Sequence, residues 1–228
     1  MTQRPKEVKG KVAVTAAVKR RVCHSFTKQH FEAARYFASC AASMENESQK
    51  ANLKDETAKS QHRAYVVGAV VLATMAMESC INEIYLDACG KNGQKLKGLD
   101  EQAMALLAEW WPHLDEKRVK TLLKYQHGLL VVGRPALPKG ENPYQDADNL
   151  IHLRNILTHY KPEWDDAKMH AEIRARLEGK FAVNPLAPEA YLWFPEQCLG
   201  SGCAKWAVRA AEEFVRAFFE RIGIAERI

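Results

Sequence analysis

The sequence predicts an all-α protein, an antiparallel four-helix-type bundle with additional short helices. Three observations carry that fold class. Apolar residues recur three or four apart through most of the chain, the spacing of a helix face. The strict apolar–polar alternation of a half-buried strand is nearly absent. The longest apolar segments also have faces too broad to be covered by a single neighbour. At 228 residues, with 47% hydrophobic and 27% charged side chains, the chain can bury one sizeable core and reads as a single domain over residues 1–228.

In chain order, a first helix is expected over about residues 15–42, where Val18, Val22, Phe26, Ala33, Phe37 and Cys40 form an apolar stripe. Residues 43–57 are polar and read as a connection. A second long helix runs from near Glu56 to Cys89 and ends at Gly90 and Gly93. Its centre, residues 64–77, is uncharged and apolar all round. It is too short to span a bilayer and belongs in the middle of the bundle. Glu78, Asn82 and Tyr85 follow on one face, and Asn82 there either pairs across the bundle or caps a neighbouring loop. Residues 94–130 hold two shorter helices, Leu99 to Trp111, closed by Pro112, and Asp115 to Leu130. Trp110 and Trp111 are expected as core or interface anchors rather than base-stacking platforms.

Residues 131–144 contain Gly133, Pro135, Pro138, Gly140 and Pro143 and are irregular. The next helix starts between Asn142 and Asp148. A charge-rich helix over residues 165–179 and a packed loop over residues 181–195 follow. Residues 131–133 and 191–194 are the only strand-like pieces. Ser201 is placed to cap a last helix reaching about Ile222. Trp206, Ala210, Phe214, Val215 and Phe218 give that helix a broad apolar face.

Charge is concentrated at one end. Residues 1–31 carry Arg4, Lys6, Lys9, Lys11, Lys19, Arg20, Arg21 and Lys28 against Glu7 alone, whereas the whole chain has a net charge of +5. A basic arm, about residues 1–14, suits a phosphate backbone. It equally suits a solvated terminus. The opening residues lack the apolar run of a signal peptide. The six cysteines contain no C-x-x-C pair and read as reduced core residues, with neither a zinc site nor a disulfide framework. These features place the expected compartment in the cytoplasm, with no membrane contact, metal or cofactor.

Residues 148–160, DNLIHLRNILTHY, stand apart. At about 100° per residue, Leu150, Leu153, Ile156, Leu157 and Tyr160 share one arc, the width of a core-facing stripe. Asp148, His152, Arg154, Asn155, Thr158 and His159 fall on the other side, with only Ile151 among them. An arginine, an amide, a hydroxyl and two imidazoles are groups that hold phosphates and move protons. Pro162 ends the helix, leaving His159 in its last turn.

Arg154, four intervening residues and His159, with Asn155 directly after the arginine, resemble the R-x4-6-H motif of the HEPN superfamily of helical nucleotide- and RNA-binding domains. Upstream, Glu78-Ser-Cys-Ile-Asn82-Glu83 resembles the acid and Asn-Glu signature on the second helix of many HEPN domains. The two matches cover two helices directly. They imply a metal-independent endoribonuclease acting on RNA through a composite Arg/His site at a homodimer interface. Arg154, His159 and Asn155 would be catalytic, with Glu78, Asn82 and Thr158 supporting them. Toxin-like members also imply an antitoxin partner. Other HEPN domains bind a nucleotide or a protein without cleaving, which is the alternative reading. In some HEPN toxins a tyrosine two residues after the histidine is modified by a nucleotidyltransferase. Here that position is Lys161, and Tyr160 comes one residue early.

The residue types fit the implied chemistry. Metal-free RNA cleavage needs a base for the 2′-hydroxyl, an acid for the leaving oxygen and positive charge on the phosphate. An imidazole can take either proton role near neutral pH. A guanidinium stays charged, and its planar fork matches phosphate oxygens. Asn155, one turn before His159, could orient the ring or hold a ribose. No phosphate-binding P-loop, G-x-G-x-x-G, G-x-S-x-G or H-E-x-x-H motif competes with this reading.

Overall fold

The computed structural model describes residues 24–51, 56–90, 95–161, 164, 168–187 and 192–225. The basic arm lies outside them, as do Pro162 and the expected start of the first helix. The described residues form seven α-helices: α1 (Thr27–Ala51), α2 (Glu56–Cys89), α3 (Glu101–Glu116), α4 (Thr121–Val131), α5 (Tyr144–Thr158), α6 (Lys168–Leu177) and α7 (Ser201–Ile222). The chain is all-α. Among the described residues the only β feature is an isolated bridge between Lys97 and Leu99. Neither strand-like piece is a strand: Val131 closes α4, and Trp193 opens a helical turn over Trp193–Gln197.

Helix α2 lies at the centre and touches α1, α3, α4, α5 and α7. It can do so because Val66, Ala69, Val70, Ala73, Ala76, Met77 and Ile81 are fully enclosed, on more than one side of the helix. By length and composition α2 would also be apolar enough to cross a membrane. Here its apolar side chains form the middle of the core. Helix α7 supplies the facing half through Trp206, Phe214, Val215 and Phe218. The buried Tyr125 of α4 meets Phe214 and Phe218 edge-on, with ring centroids 4.8 and 4.9 Å away.

Polar contacts between helices correct the expected boundaries. Helix α1 continues through residues 43–51, which polarity alone marks as a connection. Its Glu45 is buried and accepts from His62 Nε2 of α2 at 2.9 Å. It also accepts from the amide and hydroxyl of Ser201. A polar residue is thus partnered inside the protein rather than solvated. Ser201 does not cap α7; the capping position is Gly200, and the acceptor is Glu45. The glycines on either side are steric requirements. A Cβ on Gly200 would fall 2.6 Å from the Cα of Asn184, and one on Gly202 would run into the carbonyl of Ala182.

Helix α3 passes through Pro112 and ends only at Glu116. The ladder closes again downstream, with the Lys117 amide on His113 O at 3.3 Å. The break comes where Arg118 takes φ 47°. Of the cysteines, Cys80, Cys198 and Cys203 are buried, Cys40 is half-buried and Cys89 is exposed; none of these five is in a disulfide.

Glu83 of α2 repeats what Glu45 does. It accepts from the amides of Phe26 (2.7 Å) and Thr27 (3.1 Å), from the hydroxyls of Ser25 and Thr27, and from the Lys95 ammonium. A carboxylate thus satisfies the orphan N–H groups and the positive dipole end of α1. Burial pushes both carboxyls up. The hydrogen bonds from Lys95, Ser25 and Thr27 outweigh it and hold Glu83 down at about 2. Those from His62 and Ser201 hold Glu45 below the ordinary carboxylate range.

A depressed carboxyl binds fewer protons folded than unfolded, so its stabilisation is complete above the unfolded value of about 4.3. It is lost as pH falls through the folded value. Glu45→Gln and Glu83→Gln should each lower the thermal midpoint at pH 7, with a lost cap costing about 0.5–2 kcal/mol. Each should also flatten the loss of stability between pH 5 and pH 2. Circular-dichroism melts across that range read both effects; variants that track the wild type would remove the caps from the stability of the fold.

Candidate functional site

Helix α5 positions most of the expected site. Its Leu150 and Leu153 are fully buried, while Ile156 and Leu157 are half-buried against the core. Tyr160 does not belong to that stripe: it is 47% exposed, because the helix ends at Thr158 before the arc reaches it. His159 is the capping residue, with φ −123° and ψ 34°, rather than a member of the last turn. Its amide still bonds Asn155 O at 3.0 Å. The Thr158 hydroxyl donates to the carbonyl of Arg154 at 2.9 Å, inside its own helix.

The opposite side of α5 forms one wall of a cleft of about 620 Å³. Tyr144, Asp148, Ile151, His152 and Asn155 line it at helical spacing, together with Arg154. Ile151, the one apolar residue on the polar arc, is therefore a cleft residue. The second wall is the turn before α4 and its first residues, Arg118 to Leu123, and Glu78 of α2 and Arg176 of α6 complete the lining. Helix α4 begins at Thr121 with no side-chain cap, so the amides of its first turn add to the positive field.

Four cations share this cleft with two acids, Glu78 and Asp148. Arg176 is held by Asp148 (3.4 Å), Asn149 (3.2 Å) and Glu172 (3.9 Å). Arg118, Lys120 and Arg154 make no ion pair with any described residue. Arg154 Nε is buried and has no hydrogen-bond partner among them. Burial, with the charge of Arg176 acting the same way, holds His152 below the ordinary imidazole pKa. The opposite pull of Glu172 and Asp148 is weaker. His152 is accordingly a neutral acceptor at pH 7.

Of the residues singled out in the sequence, the cleft gathers Arg154, Asn155 and Glu78. His159 is exposed and lies one turn beyond Asn155, outside the lining. Thr158 is exposed as well. Asn82 pairs across the protein, accepting from Lys124 Nζ at 2.8 Å, and does not line the cleft. Sequence reasoning missed Arg118, Lys120 and Arg176, and set His152 on the polar arc without giving it a role. The available signal was that Asp148, His152 and Asn155 share one side of α5.

Because Arg154 makes no ion pair with any described residue and its Nε has no hydrogen-bond partner among them, Arg154→Ala should leave thermal stability close to that of the wild type. Leu153→Ala, a fully buried truncation, should cost about 2–5 kcal/mol. Tripolyphosphate should raise the melting midpoint of the wild type and not that of Arg154→Ala, because only the native state offers the site. Equal stabilisation of both proteins would place the anion elsewhere. Comparison with family models, with curated proteins and with solved structures returns no match, so the cleft is interpreted from its own residues.

Proposed function

We propose that the cleft holds a phosphate of single-stranded RNA and that the chain is a HEPN-like, metal-independent endoribonuclease acting as a homodimer. The observation that carries this reading is Arg154, whose buried Nε has no hydrogen-bond partner among the described residues, while Arg118 and Lys120 line the same cleft with no ion pair to any of them. A buried donor left unsatisfied costs about 1–3 kcal/mol, more when charged. Phosphate oxygens would satisfy the guanidinium and neutralise its neighbours. On this reading α1, α2, α5 and α7 form the four-helix-type bundle and α3, α4 and α6 are its additions.

Cleavage between nucleotides then divides among a few groups. Neutral His152, in the wall of the cleft, takes the 2′-hydroxyl proton. That oxygen attacks the phosphorus, and Arg154 stabilises the charge that develops on the non-bridging oxygens. The bond to the 5′-oxygen breaks, and His159 of the second copy protonates that oxygen. Asn155, exposed in the lining of the cleft beside Arg154, positions the strand. The dimer is needed because His159 lies outside the lining of its own cleft. The same fact favours a second reading, a noncatalytic module that binds a nucleotide through Arg154 and does no chemistry.

Two measurements decide. The purified protein should cut single-stranded RNA in the presence of EDTA and leave 2′,3′-cyclic phosphate ends, while DNA survives for want of a 2′-hydroxyl. His159→Ala, His152→Ala and Arg154→Ala should each lower the rate, and loss of a general acid or base costs about 10²–10⁴-fold. RNA binding without cutting, lost in Arg154→Ala, selects the noncatalytic module. Sedimentation at micromolar concentration should show a dimer; a monomer that still cuts would remove the second copy from the mechanism.

A further inference from the structure

We infer that the cleft selects guanine and that Glu78 reads it, an inference that rests on the RNA-binding reading of the same cleft. Glu78 lines the cleft from α2 and is half-buried. Among the described residues it accepts no hydrogen bond and makes no ion pair, although four cations share the space. The other acid of the cleft, exposed Asp148, and the enclosed acids elsewhere are treated differently. Asp148 is bound by Arg176, Asp146 by Lys180, Glu83 by Lys95, and Glu45 by His62. A free carboxylate also works against a phosphate, since it subtracts from the positive field that would hold one. Its presence is explained if the ligand brings hydrogen-bond donors of its own.

A carboxylate only accepts, and it has two oxygens side by side. Among RNA bases, guanine alone presents two adjacent donors on its Watson–Crick edge, N1–H and the N2 amino group. Adenine sets one donor beside one acceptor there, cytosine one donor beside two acceptors, and uracil one donor between two acceptors. Bidentate acceptance by Glu78 thus fits guanine and leaves a repelled lone pair with adenine or cytosine. The rest of the cleft suits a nucleotide. Val119, Leu123 and Ile151 give apolar surface for a base face, Arg154 and Arg118 serve its phosphate, and about 620 Å³ lies within the usual range for small-ligand sites.

The test measures binding of 2′-O-methylated trinucleotides, which cannot be cleaved, with guanine, adenine, cytosine or uracil between two uridines. The wild type should prefer the guanine trimer by about tenfold or more, the discrimination usual for a good bidentate contact. Glu78→Gln turns one acceptor into a donor, so the guanine preference should collapse and adenine should bind as well or better. Arg154→Ala should weaken all four trimers alike and keep their order. Free GMP is the second arm: weaker than the trimer, it identifies guanine within a strand; as tight, it identifies the free nucleotide, and guanine remains the ligand in both. Four trimers bound equally, unchanged in a folded Glu78→Gln, would overturn the inference and leave the RNA reading standing. No binding of any trimer or of GMP would sink both.

Discussion

The helices of this protein are tied to one another by carboxylates that reach from the side of one helix to the start of the next. Glu83 of α2 receives the first amides of α1, and Glu45 of α1 receives the first amide of α7. Each carboxylate faces the positive end of a dipole in a place where water would otherwise be needed. Apolar packing alone lets helices slide and rotate at little cost, because neighbouring ridges are nearly equivalent. A carboxylate that must meet particular amides fixes the height of one helix against another. The α2–α1–α7 stack is therefore registered, and the remaining helices are laid on a rigid frame.

That frame determines what the cleft can be. Its walls come from α2, α5, α6 and the start of α4, so no local segment could build it alone. Of its cations, Arg176 is paired and Arg118 and Lys120 are exposed, whereas the Arg154 Nε is buried. The Arg154 Nε, buried and without a hydrogen-bond partner among the described residues, is a cost held in place by the stability of the core around it. Such a site is preorganised: an anion entering it meets charges already positioned, and little reorganisation is left to oppose binding.

The sequence exposed the fold more readily than the cleft. Helix α2 was legible as central because its apolar residues occupy every side, and α7 because Trp206, Phe214 and Phe218 recur on one face. The end of α1 was hidden, since Glu45 looks solvated until Ser201, 156 residues away, is seen to bond to it. Pro112 misled for a different reason: a proline removes one ladder bond, and the packing of α3 tolerated that loss. In the site, Arg154 and Asn155 stood out by position on α5. Arg118 and Lys120 did not, because a basic turn between helices has no periodicity to betray a purpose. Tyr160 was misassigned by extending a helical wheel past the point where the helix stops.

The contact at the start of α7 has a consequence for descent. Gly200 and Gly202 leave room for the backbone of residues 182–184, and Ser201 between them meets Glu45. A side chain at either glycine meets backbone, and loss of Glu45 leaves the Ser201 amide and His62 without their acceptor. Cleft residues such as Arg118 or Lys120 can drift singly as ligands change. In any lineage sharing this architecture, a Gly-Ser-Gly triplet and a glutamate late in the first helix should therefore be inherited as a unit, and should outlast the activity they frame.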